Sequence, residues 1–512
     1  MIKVSLSWIA QQVDGQLHGD DRTVSSVTID SRQITPGDLF VAIRGPRFDG
    51  HHYIEQAIAD GASAIICEAL PREPLPRQPH PREHTPSEQT ASEPTASEHL
   101  PSGRQSGRLV QSSKVPVIVV KDSRYALGQL GAGVKARCQV KTVAITGSSG
   151  KTTVKEMCAA ILRQCGQVLA TQGNFNNDIG VPLTLLNLTP NDDYAVIELG
   201  ANHRGEIAYT TRLTRPDVVL INNVSPAHVE GFGDIWGVAR AKSEIVKGLG
   251  DEGVVFTNAN SPFYSYWQRE FSLLQHKTFA VQGGPTEDGV AAEDAALFAT
   301  DVELNEHGCA TFILHRGTDT QSIQVPIPGA HNVANAVAAA ALCSELGVSL
   351  ALIAKGIAAL EPVPGRMTVT QIGAELRIID DTYNANVASA KAALDALASF
   401  AGYRVMVLGD MGELGPHARE YHEEVGEYAI DTGIESLFTL GVLSQSASQT
   451  FNGHGGQHFD NQNALISALY DIMQNKNEVT ILVKGSRSAR MERTVEALIE
   501  QAKTLTAGDL TC

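Results

Sequence analysis

The chain has little that would tie it to a membrane, a nucleic acid or an oxidising compartment. No apolar run reaches eighteen residues, so no membrane-spanning helix and no stable membrane insertion is expected. The opening stretch, Met1-Ile-Lys-Val-Ser-Leu-Ser-Trp8, lacks the basic, apolar and cleavage regions of a secretory signal, and a cytoplasmic protein is expected. Basic residues are the minority, 40 Lys and Arg against 57 Asp and Glu, for a formal charge of −17. A nucleic-acid partner, which calls for a basic face, is therefore not expected. The 7 cysteines are scattered, odd in number and never spaced C-x-x-C. They read as reduced, mostly structural thiols.

What is present points to layered α/β architecture. The 512 residues suit about three domains on a length prior. Short β-rich runs alternate with alanine-rich, helix-compatible segments. The chain is organised around Thr142-Val-Ala-Ile-Thr-Gly-Ser-Ser-Gly-Lys-Thr-Thr153, a β-rich run that meets a Gly/Ser loop and continues into a helical segment from Val154 to Arg163. That layout makes a phosphate cradle: glycines let backbone N–H groups approach, and the helix N-terminus adds partial positive charge. Gly147, Ser148, Ser149, Gly150, Lys151, Thr152 and Thr153 are the candidate nucleotide-binding residues, with Lys151 for the β- and γ-phosphates and Thr152 for Mg²⁺. The generic pattern G-x-x-x-x-G-K-[ST] is incomplete, because its first glycine would fall at Ile145.

Other candidates sit where polar residues follow β-rich runs, the place where an open α/β sheet forms its crevice. Glu198 ends the run Tyr194 to Gly200, and His228 follows the run Val218 to Val224. The segments Ile378 to Asn386, Arg404 to Gly415 and Val479 to Arg487 repeat the pattern. Lys242 lies on a helical segment and by composition alone reads as a solvated lysine. Residues 71–113 hold eight prolines and no Phe, Tyr or Trp, and a disordered excursion is expected there. A proline/glycine hinge occurs at Glu361-Pro-Val-Pro-Gly-Arg-Met367.

Thr-Gly-Ser-Ser-Gly-Lys-Thr-Thr resembles the nucleotide loop of the Mur ligases, which build the peptide of bacterial cell-wall precursors. The resemblance spans the chain except 71–113 and a weak patch near 260–320. It implies three α/β domains: a UDP-substrate domain at 1–121, a central P-loop ATPase-like parallel-sheet domain at 122–364, and a Rossmann-like domain at 365–512 that binds the incoming dipeptide and closes over ATP. Val27-Thr-Ile-Asp-Ser-Arg32 and the Gly45–Gly50 loop are similar to the uridine-nucleotide block, which implies that Ser31, Arg32 and Gly45 hold the UDP part. Thr171-Gln-Gly-Asn-Phe-Asn-Asn-Asp-Ile-Gly180 is similar to an Asn-rich loop that contacts the muramoyl and peptide part, here through Asn174, Asn176 and Asn177. By the same resemblance Thr152 and Glu198 bind one Mg²⁺, and His228 and a carbamylated Lys242 bind a second. Asn332, in Gly-Ala-His-Asn, is implied for adenine, and Arg366 for ATP on closure.

Asp-Asp-x-Tyr-Asn-Ala-Asn, Gly-Asp-Met-x-Glu-Leu-Gly and Val-Lys-Gly-Ser-Arg-Ser resemble the family branch that adds D-alanyl-D-alanine. They imply substrate contacts from Asp381, Tyr383, Asn384, Asn386, Lys484, Ser486 and Arg487. The implied activity is ATP-dependent amide ligation of D-alanyl-D-alanine to UDP-N-acetylmuramoyl-tripeptide, by a protein expected to be a monomer. Two rivals remain at this point. One is the ligase adding the third peptide residue, whose D-N-P-R motif is absent here. The other is a P-loop switch protein that hydrolyses nucleotide without an amino acceptor.

Overall fold

The computed structural model describes residues 1–45, 48–70, 115–226, 229–284 and 291–508. The excursion expected at 71–113 and the candidate His228 lie outside the described residues. The chain gathers into two compact units, Lys3–Leu127 and Gly128–Cys512.

In the first unit five short strands form one sheet, in the order Gln16–His18, Val117–Val119, Ala64–Cys67, Leu39–Val41, Val27–Thr28. Only the pair of Gln16–His18 with Val117–Val119 is antiparallel. Leu39–Val41 and Ala64–Cys67 are buried at every position, as parallel strands covered on both faces must be. Both are shorter than the runs Leu39 to Ile43 and Ala62 to Cys67 suggest. After Val41 the chain turns through an isolated bridge between Arg44 and Asp49 instead of continuing the ladder.

The second unit holds two sheets. The larger has nine strands, ordered Asp319–Pro328, Cys309–Arg316, Leu297–Leu304, Gln275–Val281, Val254–Asn258, Val218–Ile221, Lys141–Thr146, Tyr194–Glu198, Val168–Ala170. From Leu297–Leu304 to Val168–Ala170 every pairing is parallel. The last two strands by position, 309–316 and 319–328, add as an antiparallel meander. The chain leaves Lys141–Thr146 towards one edge, through Val168–Ala170 and Tyr194–Glu198, and later fills the other side from Val218–Ile221 outward. Lys141–Thr146 is thus next to the switch point, where a crevice opens beyond the strand ends.

The helix after the phosphate loop starts at Lys151, not at Val154. Gly150 is its N-cap at φ 74, a left-handed conformation that glycine adopts without steric cost. Val154, Met157, Cys158 and Ile161 recur at helical spacing and are fully buried. They share a core with Val143 and Ile145 of the sheet and with the alanine-rich helix His331–Glu345. Alanines keep these two helices close: Cys158 Sγ reaches the Ala339 carbonyl and Cys343 Sγ reaches the Cys158 carbonyl, each at 3.9 Å. The six cysteines among the described residues are all free thiols.

The smaller sheet is ordered Thr368–Ile372, Leu376–Asp381, Val479–Lys484, Tyr403–Gly409, Ser436–Leu440, Gly456–Phe459, antiparallel only at its first pair. The three strands with polar ends in the sequence, 376–381, 479–484 and 403–409, are therefore immediate neighbours at its centre. Among the described residues, no helix is long and apolar enough to cross a membrane.

Candidate active site

The phosphate loop is held from below by the end of the neighbouring strand Val218–Ile221. Asn223 Oδ1 accepts the Ser149 N–H at 2.9 Å, and its Nδ2 donates to the Ser149 carbonyl at 3.1 Å. Asn222 Nδ2 donates to the same carbonyl at 3.1 Å. Ser148 Oγ donates to the Ser225 carbonyl and accepts the Ser225 N–H, at 3.1 and 2.9 Å. Lys151 folds back over the loop, its Nζ donating to the Gly147 carbonyl at 2.7 Å. Burial lowers the Lys151 pKa; Glu198 opposes the shift, and the Arg366 charge adds to it.

A buried carboxylate stands beside the loop. Glu198, at the end of its strand, is 2% exposed. Thr152 Oγ1 donates to its Oε2 at 2.9 Å, and Asn176 Nδ2 donates to its Oε1 at 2.8 Å. Asn176 thus orients the carboxylate, while Asn177 Oδ1 accepts the Gly180 N–H at 2.8 Å and shapes the loop before the next helix. Arg366 Nη2 donates to Thr152 Oγ1 at 3.0 Å, and its guanidinium lies 4.2 Å from the centre of the Tyr383 ring. Arg366 Nε is buried with no hydrogen-bond partner.

Two lysines complete the charge pattern. Lys242, on the helix Ile235–Ser243, is 5% exposed. Burial drives its pKa well below the usual lysine value, and the Lys151 charge pushes the same way. Lys484 is equally sunken, but it donates to the Asp381 carboxylate and, at 3.1 Å, to the Asn384 carbonyl. Asn386 caps the helix Val387–Ala398 and reaches the Ser148 carbonyl at 3.5 Å.

These groups line one cleft of about 480 Å³. The whole loop Gly147–Thr153, the three loop asparagines, Glu198, Lys242, Asn332, Arg366, Asp381, Tyr383, Asn384, Asn386, Lys484 and Arg487 contribute to its wall. Ser486 does not; it is buried, and its hydroxyl bonds to that of Ser488 at 3.0 Å. Asn332 lines the cleft with both amide ends engaged, donating to the Pro328 carbonyl at 2.7 Å and accepting from Asn335 at 2.9 Å. Asn222, Asn223, Asn335 and His331 also line it and escaped the sequence reading. A signal existed for the first two, since Asn222-Asn223 directly follows a β-rich run.

The UDP candidates belong to the N-terminal unit. Ser31 opens a short 3₁₀ turn capped by Asp30. Arg32 grips Asp30 with two donors, Nε at 2.9 Å and Nη2 at 2.7 Å, and its bonding holds the Asp30 carboxyl down to about 2. The Arg32 side chain remains 85% exposed. Gly45 donates its N–H to the Phe48 carbonyl at 2.8 Å.

Comparison with known proteins covers nearly all of the chain. Residues 23–135 match the Mur ligase family catalytic domain, 145–343 the Mur ligase middle domain, and 365–487 the Mur ligase glutamate ligase domain. The UDP-N-acetylmuramoyl-tripeptide–D-alanyl-D-alanine ligase of Escherichia coli is 43% identical, over 98% of this chain and 99% of its own. A crystal structure of MurF from Acinetobacter baumannii superposes with a TM-score of 0.83 at 32% identity, covering 98% of this chain and 99% of its own. MurF from Thermotoga maritima, solved with ADP, has the same fold, with a TM-score of 0.74 at 24% identity over 94% of this chain and 98% of its own. The chain belongs to the Mur ligase family, and within it to the MurF type.

Proposed function

We propose that the chain is an ATP-dependent ligase that joins D-alanyl-D-alanine to UDP-N-acetylmuramoyl-tripeptide, in the cytoplasm, as a step of peptidoglycan precursor synthesis. The observation that carries this reading is the single cleft in which the phosphate loop, Glu198 and the strand ends of the smaller sheet meet. Phosphoryl transfer to a carboxylate and its capture by an amine need that juxtaposition.

The tripeptide's terminal carboxylate attacks the γ-phosphorus of ATP, and ADP leaves. The acyl phosphate so formed is attacked by the dipeptide amine. The tetrahedral adduct then expels phosphate and gives up the amine proton. Lys151 and the loop N–H groups hold the phosphates. Arg366 brings a planar cation whose unused Nε donor suits a phosphate oxygen. In this reading Asn332, in the cleft wall, contacts the base, and Asp381, Asn384, Lys484 and Arg487 bind the acceptor. Ser31, Arg32 and the loop at Gly45 take the UDP end. In this reading residues 1–121, 122–364 and 365–512 are the UDP, ATP and dipeptide domains of a monomer.

Thr152 Oγ1 and Glu198 are hard oxygen donors hydrogen-bonded at 2.9 Å, a set that fits Mg²⁺, and these two would hold it. Bound there, the ion supplies charge neutralisation between two anions. Lys242 as an ammonium would repel a second cation. As a neutral amine it can take up CO₂ and release a proton, giving a carbamate with oxygen donors.

The test is ADP release from ATP and UDP-tripeptide, with and without D-alanyl-D-alanine. The ligase releases ADP in steady state only when the dipeptide is present. Equal release without it would establish a nucleotide-hydrolysing switch instead. Running both tripeptides, ending in meso-diaminopimelate or lysine, identifies the natural one.

A further inference from the structure

The cleft wall contains a chain of carboxamides of which the reading above uses only Asn332. Asn222 Nδ2 donates to Asn335 Oδ1 at 3.0 Å, Asn335 Nδ2 donates to Asn332 Oδ1 at 2.9 Å, and Asn332 Nδ2 donates to the Pro328 carbonyl at 2.7 Å. All three side chains are nearly inaccessible, at 3%, 6% and 2% exposure. Every donor points the same way along the chain, so each amide fixes the rotamer of the next. At its head, Asn222 also holds the Ser149 carbonyl, which directs that peptide dipole towards the strand end. The same pair sets the turn that follows. A Cβ on Gly150 would lie 2.5 Å from Asn335 Oδ1 and 2.6 Å from Asn222 Nδ2. Loop and amide chain are therefore fitted to each other with no slack.

We propose that Asn222 is a positioning residue that couples recognition of the nucleobase to the geometry of the phosphate loop. The inference rests on the reading that the base lies at Asn332. A base that takes the second Nδ2 hydrogen or the second Oδ1 lone pair of Asn332 pulls on an amide already held by the Pro328 carbonyl and by Asn335. Any rotation there passes to Asn335, then to Asn222, then to the Ser149 carbonyl and the Gly150 turn. A wrong base is thereby felt at the phosphates, and discrimination appears in kcat as well as in KM. Buried amides in series transmit such a change because none can turn without leaving a partner unsatisfied.

The experiment compares ATP with inosine triphosphate, whose six-position accepts where adenine donates, in the full ligase reaction of the wild-type chain, Asn222→Ala and Asn335→Asp. The second variant keeps its size and the acceptor facing Asn222 but loses the donor to Asn332, so it tests the same chain if the first is poorly folded. The wild type should favour ATP in both parameters. In each variant the kcat preference should fall by about tenfold while the KM preference persists. The double variant should lose no more of the kcat preference than either single one. A kcat ratio that both variants retain, with activity lowered equally for the two nucleotides, overturns the coupling and leaves the base placement standing. A wild-type KM that does not distinguish the nucleotides, in a chain that still binds ADP by calorimetry, overturns the base placement and the coupling with it.

Discussion

Lys242 and Lys484 sink into the same cleft and meet opposite surroundings. Lys484 ends its strand against the Asp381 carboxylate and the Asn384 carbonyl. Lys242 has no hydrogen bond or ion pair to its Nζ among the described residues, and the charge that acts on it is another lysine. Burying an ammonium is costly unless it is paired. The pair at Lys484 meets that cost with a counter-ion, the Asp381 carboxylate. At Lys242 burial without such a partner lowers the pKa and so favours the neutral amine, the form that the proposed uptake of CO₂ requires. The same residue type meets a carboxylate at one position and another lysine's charge at the other.

Breaking the pair should have the largest effect on stability. Lys484→Met leaves Asp381 with a side chain 13% exposed and no cation. Unfolding in urea should show a loss of about 3 kcal/mol, the low end for a broken buried pair. The double variant Lys484→Met/Asp381→Asn should recover part of that loss. Equal losses in the two would mean that the pair adds nothing beyond packing.

Removing the lone lysine should act in the other direction and more weakly. Its folded pKa lies below its unfolded value, so between those values the unfolded chain binds more protons. The penalty is absent above the unfolded pKa and grows as pH falls towards the folded one. Lys242→Met should therefore raise Tm at pH 7, with a smaller gain at pH 10, while turnover is lost. A gain that is flat between pH 7 and 10, or a lowered Tm at pH 7, would show that the amine is not forced neutral.

Legibility of the sequence followed the same division between local pattern and spatial neighbourhood. The strands Lys141–Thr146, Tyr194–Glu198 and Val479–Lys484 were readable because β-branched runs stop at glycines or charged residues. The phosphate loop was readable as well, although its helix begins three residues earlier than the periodicity suggests, because a left-handed Gly150 starts it at once. The meander at 297–328 was missed where the resemblance is weak, yet Cys309–Arg316 alternates buried and half-buried positions along most of its length. Asn176 shows the limit of reading side chains singly. The resemblance implies a substrate contact for it, and the fold adds a hydrogen bond from its amide to Glu198 that the sequence alone does not show. Asn335 carried no signal, because its partner Asn222 is 113 residues away in sequence.

The contrast between the two lysines rests on the neutral amine at Lys242, and carbon NMR addresses it directly. The chain in ¹³C-bicarbonate should show one carbamate resonance that disappears in Lys242→Ala and persists in Lys484→Met. No carbamate resonance in the wild type, or one that survives Lys242→Ala, would contradict the account.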